Sequence, residues 1–182
     1  KSVTDYSSMT MLAITGMEDP LKPGVPESIR QLQGDRHSAG AGVAVRMVTG
    51  DNINTAIAIS KKCNILREGV DLDANGHPLP FVVMEGCDFR QMVVEKETDE
   101  IGKVKLDEKG NPVLKMDDKK RYVINMAEFD KVWPALRVLA RSSPEDKLTL
   151  VRGMHKSTLY EDPKAVHELG IFADKQVVAV TG

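Results

Sequence analysis

Val43–Thr49, with the sequence VAVRMVT, is the clearest buried strand of this 182-residue chain, and it leads directly into the turn Gly50-Asp51-Asn52. The next segment, Ile53–Cys63, places apolar and small residues near one face of a helix. Strand, turn and helix in this order are typical of parallel α/β sheets. Such sheets bind ligands at the carboxyl ends of their strands. The turn after Thr49 is therefore the first place where the sequence predicts a functional site.

The same order recurs on both sides of this unit, which predicts an α/β fold with a mostly parallel sheet. Ser143-Pro144-Glu145-Asp146 is a strong helix start, because a capping serine, a proline at the first position and two acids suit the positive end of a helix. The other predicted strands are Met9–Thr15, Leu136–Ala140 and Gln176–Thr181, and the other predicted helices are Glu27–Gln33 and Met126–Val132.

Residues 68 to about 125 differ in character from the rest of the chain. They contain clusters of Gly, Pro, Asn and Asp, a charged run at Glu95–Glu100 and a hairpin-like pattern over Val104–Val113. We interpret this span as an insertion made of short strands and a loop. Its polar part, residues 91–125, is expected to be removable without loss of the fold.

The composition excludes several classes of function. The chain has 25 Lys and Arg against 27 Asp and Glu, with one Trp, three Tyr and four Phe. Because it has neither a basic excess nor many aromatic residues, nucleic acid is not an expected partner. No apolar run approaches the roughly 18–20 residues of a membrane span. Cys63 and Cys87 lack a paired spacing and the histidines are scattered, so we expect reduced thiols and no metal ligands.

The ends of the chain favour a piece of a larger, cytosolic protein. The chain starts at Lys1 rather than at a methionine, without a signal peptide, and stops where a predicted strand enters the turn Thr181-Gly182.

Thr49-Gly50-Asp51 has the chemistry of a phosphate seat, because it combines a hydroxyl, a glycine amide and a helix amino terminus. Asp51 would repel a bare phosphate and suits Mg²⁺, a lysine or a nucleotide hydroxyl, but Asp51 and Asn52 also suit simple helix capping. Lys147 lies in a first helical turn, where the dipole disfavours a cation, so an anion within its reach would explain it. A surface lysine is the alternative, and Arg141, after strand Leu136–Ala140, has the same two interpretations.

Asp71–Gly76 copies the first half of an EF-hand calcium loop. The twelfth position is Val82, where a bidentate glutamate is needed, and Pro78 and Pro80 interrupt the exit from the loop. A β-turn is the better interpretation, and a calcium-binding module is the weakest of the functions considered.

Four ordered motifs together resemble the phosphorylation domain of P-type ATPases. They are Gly16–Arg30, Val45–Ala56, Leu136–Lys147 and Val177–Gly182. Met84–Arg90 and Val132–Ser143 make the likeness strongest to plasma-membrane-type calcium-transporting ATPases. The resemblance implies a haloacid-dehalogenase-like Rossmannoid parallel sheet, incomplete in this chain, with the inserted strand and loop region at 68–125. It also implies that residues 1–15 are a strand returning from a nucleotide-binding domain and that 16–182 are a phosphorylation-domain fragment.

The resemblance assigns a role to each candidate residue. Thr49-Gly50-Asp51 resembles the segment that contacts the nucleotide and the transferred phosphoryl group. Lys147 resembles the lysine that neutralises the phosphoryl oxygens, and Arg141 an arginine at the nucleotide-facing edge. Asp19 resembles the hinge aspartate where the chain re-enters this domain. Phosphoryl transfer relies on such positioned cations and amides.

Departures from the family pattern limit what this chain is expected to do alone. The Asp-Lys-Thr-Gly-Thr motif with the phosphorylated aspartate is absent, and the Mg²⁺-binding segment would begin after Gly182. Lys22 also replaces the arginine usual at the hinge. The fragment is therefore expected to lack the nucleophile, most of the Mg²⁺ site and a central strand of its sheet, and to be inactive by itself.

The expected whole protein is a multi-pass calcium pump of the plasma membrane or an internal store, driven by an aspartyl phosphate formed from MgATP. Expected partners of this cytosolic piece are ATP and the nucleotide-binding, actuator and transmembrane domains of the same protein. Ca²⁺ and calmodulin would bind elsewhere. The alternatives are a P-type pump for another cation and a soluble phosphatase-like or nucleotide-binding domain of the same fold.

Overall fold

Three short parallel strands form the sheet of the computed structural model, which describes residues 10–16, 20–34 and 40–181. They are β1 (Met47–Val48), β2 (Val83–Glu85) and β3 (Val138–Ala140), in the order β1-β3-β2. Val48 of β1 and Met84 of β2 both lie opposite Leu139, so the three strands end at the same level. The predicted α/β class with a parallel sheet is confirmed, and the sheet is open.

Six α-helices surround the sheet within the described residues. They are α1 (Val25–Gln33), α2 (Ile53–Lys62), α3 (Gly86–Val93), α4 (Met126–Val132), α5 (Pro144–Lys156) and α6 (Pro163–Leu169), with a 3-10 turn at Leu159–Glu161. The helices predicted near residues 27, 53, 126 and 144 are confirmed. No helix among the described residues has the length and apolar character needed to cross a bilayer.

Both faces of β3 are buried. Leu139 packs in a cluster with residues of α3, α4 and α5, whereas its neighbours Val138 and Ala140 pack with α2 and the segment that follows it. Because side chains alternate along a strand, this division gives three layers, with helices on both faces of the sheet. Each fully buried aliphatic or aromatic side chain contributes about 1.5–3 kcal/mol of transfer free energy.

Two predicted strands do not form among the described residues. The apolar side chains of Met11, Leu12 and Ile14 are 72%, 92% and 84% exposed, and residues 176–181 belong to no strand, with Val177 96% exposed. An apolar run becomes a strand only when another strand hydrogen-bonds to it. Neither run has such a neighbour among the described residues, and the domain assignment of residues 1–15 stays a prediction.

The span 68–125 contributes to the core as well as to the surface. It contains β2 and α3. Val93, Val94 and Ile124 are buried in the same cluster as Leu139. The expectation that all of 91–125 is removable must therefore be narrowed to the segment between Val94 and Ile124. Whether 68–125 is an insertion in a larger fold remains a prediction.

Residues 95–123 form three short antiparallel hairpins, here called arms. Backbone hydrogen bonds between the arms close into rings of three residues. Glu95 N donates to Val123 O, Val123 N to Lys115 O and Lys115 N to Glu95 O, at 2.9, 3.0 and 2.8 Å. A second ring of the same kind joins residues 97, 105 and 113. The hairpin predicted near 104–113 is the middle arm, with Leu106 paired to Pro112.

The tips of the arms share one turn chemistry. Asp99, Asp107 and Asp117 each accept hydrogen bonds from the backbone N–H groups two and four residues later. The third residue after each aspartate has a positive φ, which Gly102 and Gly110 adopt without strain and Lys120 adopts at 57°. These carboxylates serve their own turns.

Candidate phosphoryl-transfer site

The turn after β1 is ordered by its own side chains. Thr49 Oγ1 donates to Asp51 Oδ2 at 3.0 Å and accepts from Asp51 N at 3.1 Å. The cap of α2 is Asn52, whose Oδ1 accepts from Thr55 N at 3.0 Å. Capping therefore explains Asn52 but not Asp51, whose exposed carboxylate stays at the strand end with the Thr49 hydroxyl.

Hydrogen bonds join this turn to the end of the neighbouring strand β3. Thr49 O accepts from both Ser142 N and Ser142 Oγ at 2.9 Å, and Asp51 O accepts from Arg141 N at 2.9 Å. Within the sheet, Thr49 N donates to Leu139 O at 2.9 Å. The predicted residues of segments 49–51 and 141 thus belong to one structural unit, although about ninety positions separate them in the chain.

Arg141 bends out of β3 in a left-handed conformation with φ 45°, a backbone state that costs a non-glycine residue about 1–2 kcal/mol. Its side chain is 64% exposed and its Nε lies 3.6 Å from Glu85 Oε1, at the end of β2. The carboxyl ends of all three strands therefore contribute polar groups to one edge of the sheet. Glu85 lies in the motif Met84–Arg90, but it was not among the candidate site residues that the sequence predicted.

Lys147 lies in the first turn of α5, four residues after the Ser143 cap. Its half-buried side chain lines a cavity of about 610 Å³ that runs beside β1, and no carboxylate of the described residues pairs with it. The structure thus joins Lys147 to the edge through Ser142 and Ser143, but it shows no direct contact between Lys147 and the Thr49-Gly50-Asp51 turn. Asp19 lies outside the described residues.

Asp146, in the first turn of α5, is a buried acid. The sequence interpretation assigned it only to the helix start. Asp146 Oδ2 accepts from Ser143 N at 2.7 Å and from Ser143 Oγ at 3.0 Å, and it forms an ion pair with Arg90 of α3. Burial lowers the pKa of Arg90, but the hydrogen bond and the charge of Asp146 outweigh this effect, so the pKa is raised. No local signal marks Arg90, which is 56 positions from Asp146.

The carboxylates of the EF-hand-like segment Asp71–Gly76 form ion pairs and hydrogen bonds within the protein. Asp71 is buried, and its carboxylate pairs with Arg67 at 3.1 Å and Arg137 at 3.3 Å. Asp73 accepts from the backbone of its own turn, at Asn75 and His77, and these backbone hydrogen bonds, the bond from His77 above all, lower its pKa. Among the described ranges, no group of three or more His, Cys, Asp or Glu side chains could hold a metal ion.

Curated relatives match this chain over nearly its whole length. The plasma membrane calcium-transporting ATPase 1 of Gallus gallus is 41% identical over 176 residues, which are 97% of this chain and 10% of the relative. The plasma membrane calcium-transporting ATPases 3 and 4 of Homo sapiens are 41% and 39% identical over 96% and 97% of this chain. The resemblance to P-type ATPases is confirmed.

The chain spans about a tenth of the length of these calcium-transporting ATPases. No family model matches it. Because the similarity to calcium-transporting ATPases covers 97% of the chain, it includes the turn after β1, the end of β3 and the start of α5. The segments that meet at the strand ends are therefore all within the region of similarity.

Proposed function

We propose that this chain is part of the phosphorylation domain of an ATP-driven, P-type calcium-transporting ATPase, with the haloacid-dehalogenase-like fold of that domain. In the whole protein, an aspartate outside this chain attacks the γ-phosphorus of ATP. A bond forms between the carboxylate oxygen and phosphorus, the bond to the bridging oxygen breaks, and ADP leaves. The cycle of this aspartyl phosphate moves Ca²⁺ across a membrane, and the chain lies on the cytosolic side.

The observation that carries the proposal is the meeting of Thr49-Gly50-Asp51, Arg141 and the start of α5 at one edge of the sheet. Carboxyl ends of parallel strands are where α/β sheets bind ligands. The 41% identity to a calcium-transporting ATPase supplies the class of reaction. The two together favour phosphoryl transfer over a merely structural set of polar residues.

Each residue contributes positioning or charge. The Lys147 ammonium, which no described carboxylate neutralises, is available to offset the negative charge of the transferred phosphoryl oxygens. The Gly50 amide offers a donor at the same edge, and the Thr49 hydroxyl lies beside it with its proton donated to Asp51 Oδ2. Asp51 holds the Thr49 hydroxyl through the 3.0 Å hydrogen bond, so removal of either side chain frees the other. Arg141 extends toward solvent, where a nucleotide would approach.

Mg²⁺ accompanies ATP in this reaction and supplies charge neutralisation. Asp51 is an exposed carboxylate at the strand ends, and it belongs to no group of three or more His, Cys, Asp or Glu side chains that could hold a metal ion in the described part of the chain. We therefore assign most Mg²⁺ ligands to the rest of the whole protein, and no step here depends on them.

The open edge of β1 is the proposed position of the strand that carries the phosphorylated aspartate. Met47 N and Thr49 N donate to β3, so the peptide groups of Val48, which alternate with them, point to the other side. The cavity beside β1 is bounded by residues 43–46 and 48, by α5 with Lys147, and by residues 177–181. An extended segment in this cavity would pair with β1 and end beside Thr49 and Lys147.

Hydrogen exchange tests this position. The Val48 amide should exchange slowly in the whole protein, where the added strand accepts its hydrogen bond, and fast in the isolated chain. Thr49 is the matched control, since its amide already donates to Leu139 O at 2.9 Å and should be protected in both. Equal exchange at Val48 in the two proteins would show that no strand pairs with this edge.

Phosphoenzyme formation tests the function itself. The whole protein is incubated with ATP labelled at the γ-phosphate, with and without free Ca²⁺, and acid-stable label is counted. Label that requires Ca²⁺ is the expected result. Label that forms equally without Ca²⁺ would assign the pump to another cation, and absence of label from a folded protein would leave a phosphatase-like or nucleotide-binding domain as the better function.

A further inference from the structure

Arg90 of α3 forms an ion pair with Asp146 of α5, the residue that precedes Lys147. The Arg90 side chain is 24% exposed and the Asp146 side chain is 0% exposed. We propose that this pair is a positioning device that holds the first turn of α5, and thereby the Lys147 ammonium, in one place relative to the Thr49-Gly50-Asp51 turn. The inference rests on the proposed function, because the position of Lys147 matters only if its ammonium group offsets the charge of the transferred phosphoryl oxygens.

Burial distinguishes Asp146 from an ordinary capping acid. Ser143 and Asp146 complete the capping box without any other residue, since Asp146 N donates to Ser143 Oγ and Ser143 N donates to Asp146 Oδ2. An acid with only that role can remain in water. Asp146 is instead fully buried, which costs several kcal/mol unless an opposite charge and hydrogen bonds offset it. Arg90 supplies that charge from another helix.

The two helices approach so closely that only glycine fits at the start of α3. A Cβ atom at Gly86 would lie 2.7 Å from Asp146 Oδ2 and 2.8 Å from Arg141 O. Arg141, whose carbonyl oxygen lies this close to Gly86, is followed by Ser142, which donates a hydrogen bond to Thr49 O. The start of α5 is therefore held on one side by the Thr49 turn and on the other by α3.

Loss of Arg90 would leave the Asp146 charge buried without its cation, while Asp146 Oδ1 already has no hydrogen-bond partner among the described residues. The first turn of α5 would move to hydrate that carboxylate, and Lys147 would move with it. A displacement of about 1 Å at a reacting group can slow a reaction by up to about 100-fold. The proposed role of Lys147 is to offset charge on the transferred phosphoryl group, so we expect the rate to fall and the KM for ATP to stay.

A double-mutant experiment in the whole protein tests whether Arg90 acts through Lys147. Arg90→Gln and Arg90→Lys are each made in the native protein and in Lys147→Ala, and the rate of phosphoenzyme formation and the KM for ATP are measured. We expect Arg90→Gln to slow the reaction about 10–100-fold at unchanged KM, and Arg90→Lys to recover part of the rate. In Lys147→Ala, neither change should slow it further.

Arg152→Gln is the matched control. Arg152 also belongs to α5 and is partly buried, but it donates to Tyr122 O at 3.2 Å and pairs with Asp117, away from the strand ends. It should leave the rate unchanged. An unchanged rate in Arg90→Gln, or the same fold-loss with and without Lys147, would overturn the proposal.

The failure of the proposed function would look different. If the native protein forms no phosphoenzyme, amide exchange at Lys147 and Leu148 in folded Arg90→Gln decides the positioning role by itself. Faster exchange there than in Arg152→Gln supports it, and equal exchange rejects it.

Discussion

Gly153 lies six residues after Lys147 in α5 and controls how closely this helix can approach α4. A Cβ atom at Gly153 would lie 2.3, 2.4 and 2.6 Å from three ring carbons of Phe129. Ordinary carbon contacts are about 3.5–4.0 Å, so Gly153→Ala requires a shift of about 1 Å or more. The Phe129 ring is fully buried and packs edge-on against Phe89, with centroids 6.4 Å apart, so it has no free space.

Two opposite effects set the expected magnitude. Alanine favours a helix over glycine by about 0.8–1.0 kcal/mol. Overpacking a well-filled core costs about 1–3 kcal/mol, and overlap with three ring atoms places Gly153→Ala at the upper end. The net expectation is a loss of about 2 kcal/mol in the free energy of unfolding, roughly a 30-fold change in the folded-to-unfolded ratio.

Urea unfolding followed by the fluorescence of Trp133, the one tryptophan of the chain, measures this change. The midpoint should fall at unchanged slope. Phe129→Leu provides the control, because the smaller side chain leaves room for the methyl group and Gly153→Ala should then be neutral or stabilising by up to about 1 kcal/mol. A stabilising effect of Gly153→Ala in the native chain would refute the close packing of α4 and α5.

Three further outcomes are expected. Lys147→Ala should strongly reduce phosphoenzyme formation by the whole protein at unchanged thermal stability, because it removes the proposed phosphoryl cation; normal labelling would reject that role. Replacing residues 97–121 by a short turn should preserve cooperative urea unfolding, since Val94 and Ile124 remain in the core, and a lost transition would show that the arms support it. The hydrogen bond from Arg121 lowers the pKa of Asp117 from 3.8 to about 2, so the third arm keeps its order above pH 4 and loses it as the pH falls toward 2. Amide exchange at Lys119 and Arg121 should rise over that range, and a rise of the same size in Asp117→Asn would contradict this cause.

Local patterns predicted the helices that carry their own start signals. Asn52 and Ser143 cap α2 and α5 through bonds to residues three positions later, so the information lies within one turn of the helix. The position of Thr49-Gly50-Asp51 at a strand end was predictable for the same reason. Hairpin Leu106–Pro112 follows from a short turn between matching strands.

Pairing between distant segments was not predictable from such patterns. The apolar run at residues 176–181 has strand composition but no ladder, whereas Val83–Glu85, inside a stretch interpreted as an insertion, pairs in parallel with β3. Composition describes what a segment can bury, but hydrogen bonds to another segment decide whether it becomes a strand.

The sequence by itself determined the α/β class, the capped helices and the identity of Thr49, Asp51, Arg141 and Lys147 as candidates. Only the tertiary structure decided that Ser142 binds Thr49 O, that Arg90 pairs with Asp146, and that β1 keeps an open edge beside Lys147. The physical reason is distance along the chain. Capping acts within a few residues, whereas these contacts join groups 56 and 93 positions apart and exist only after the helices pack on both faces of the sheet.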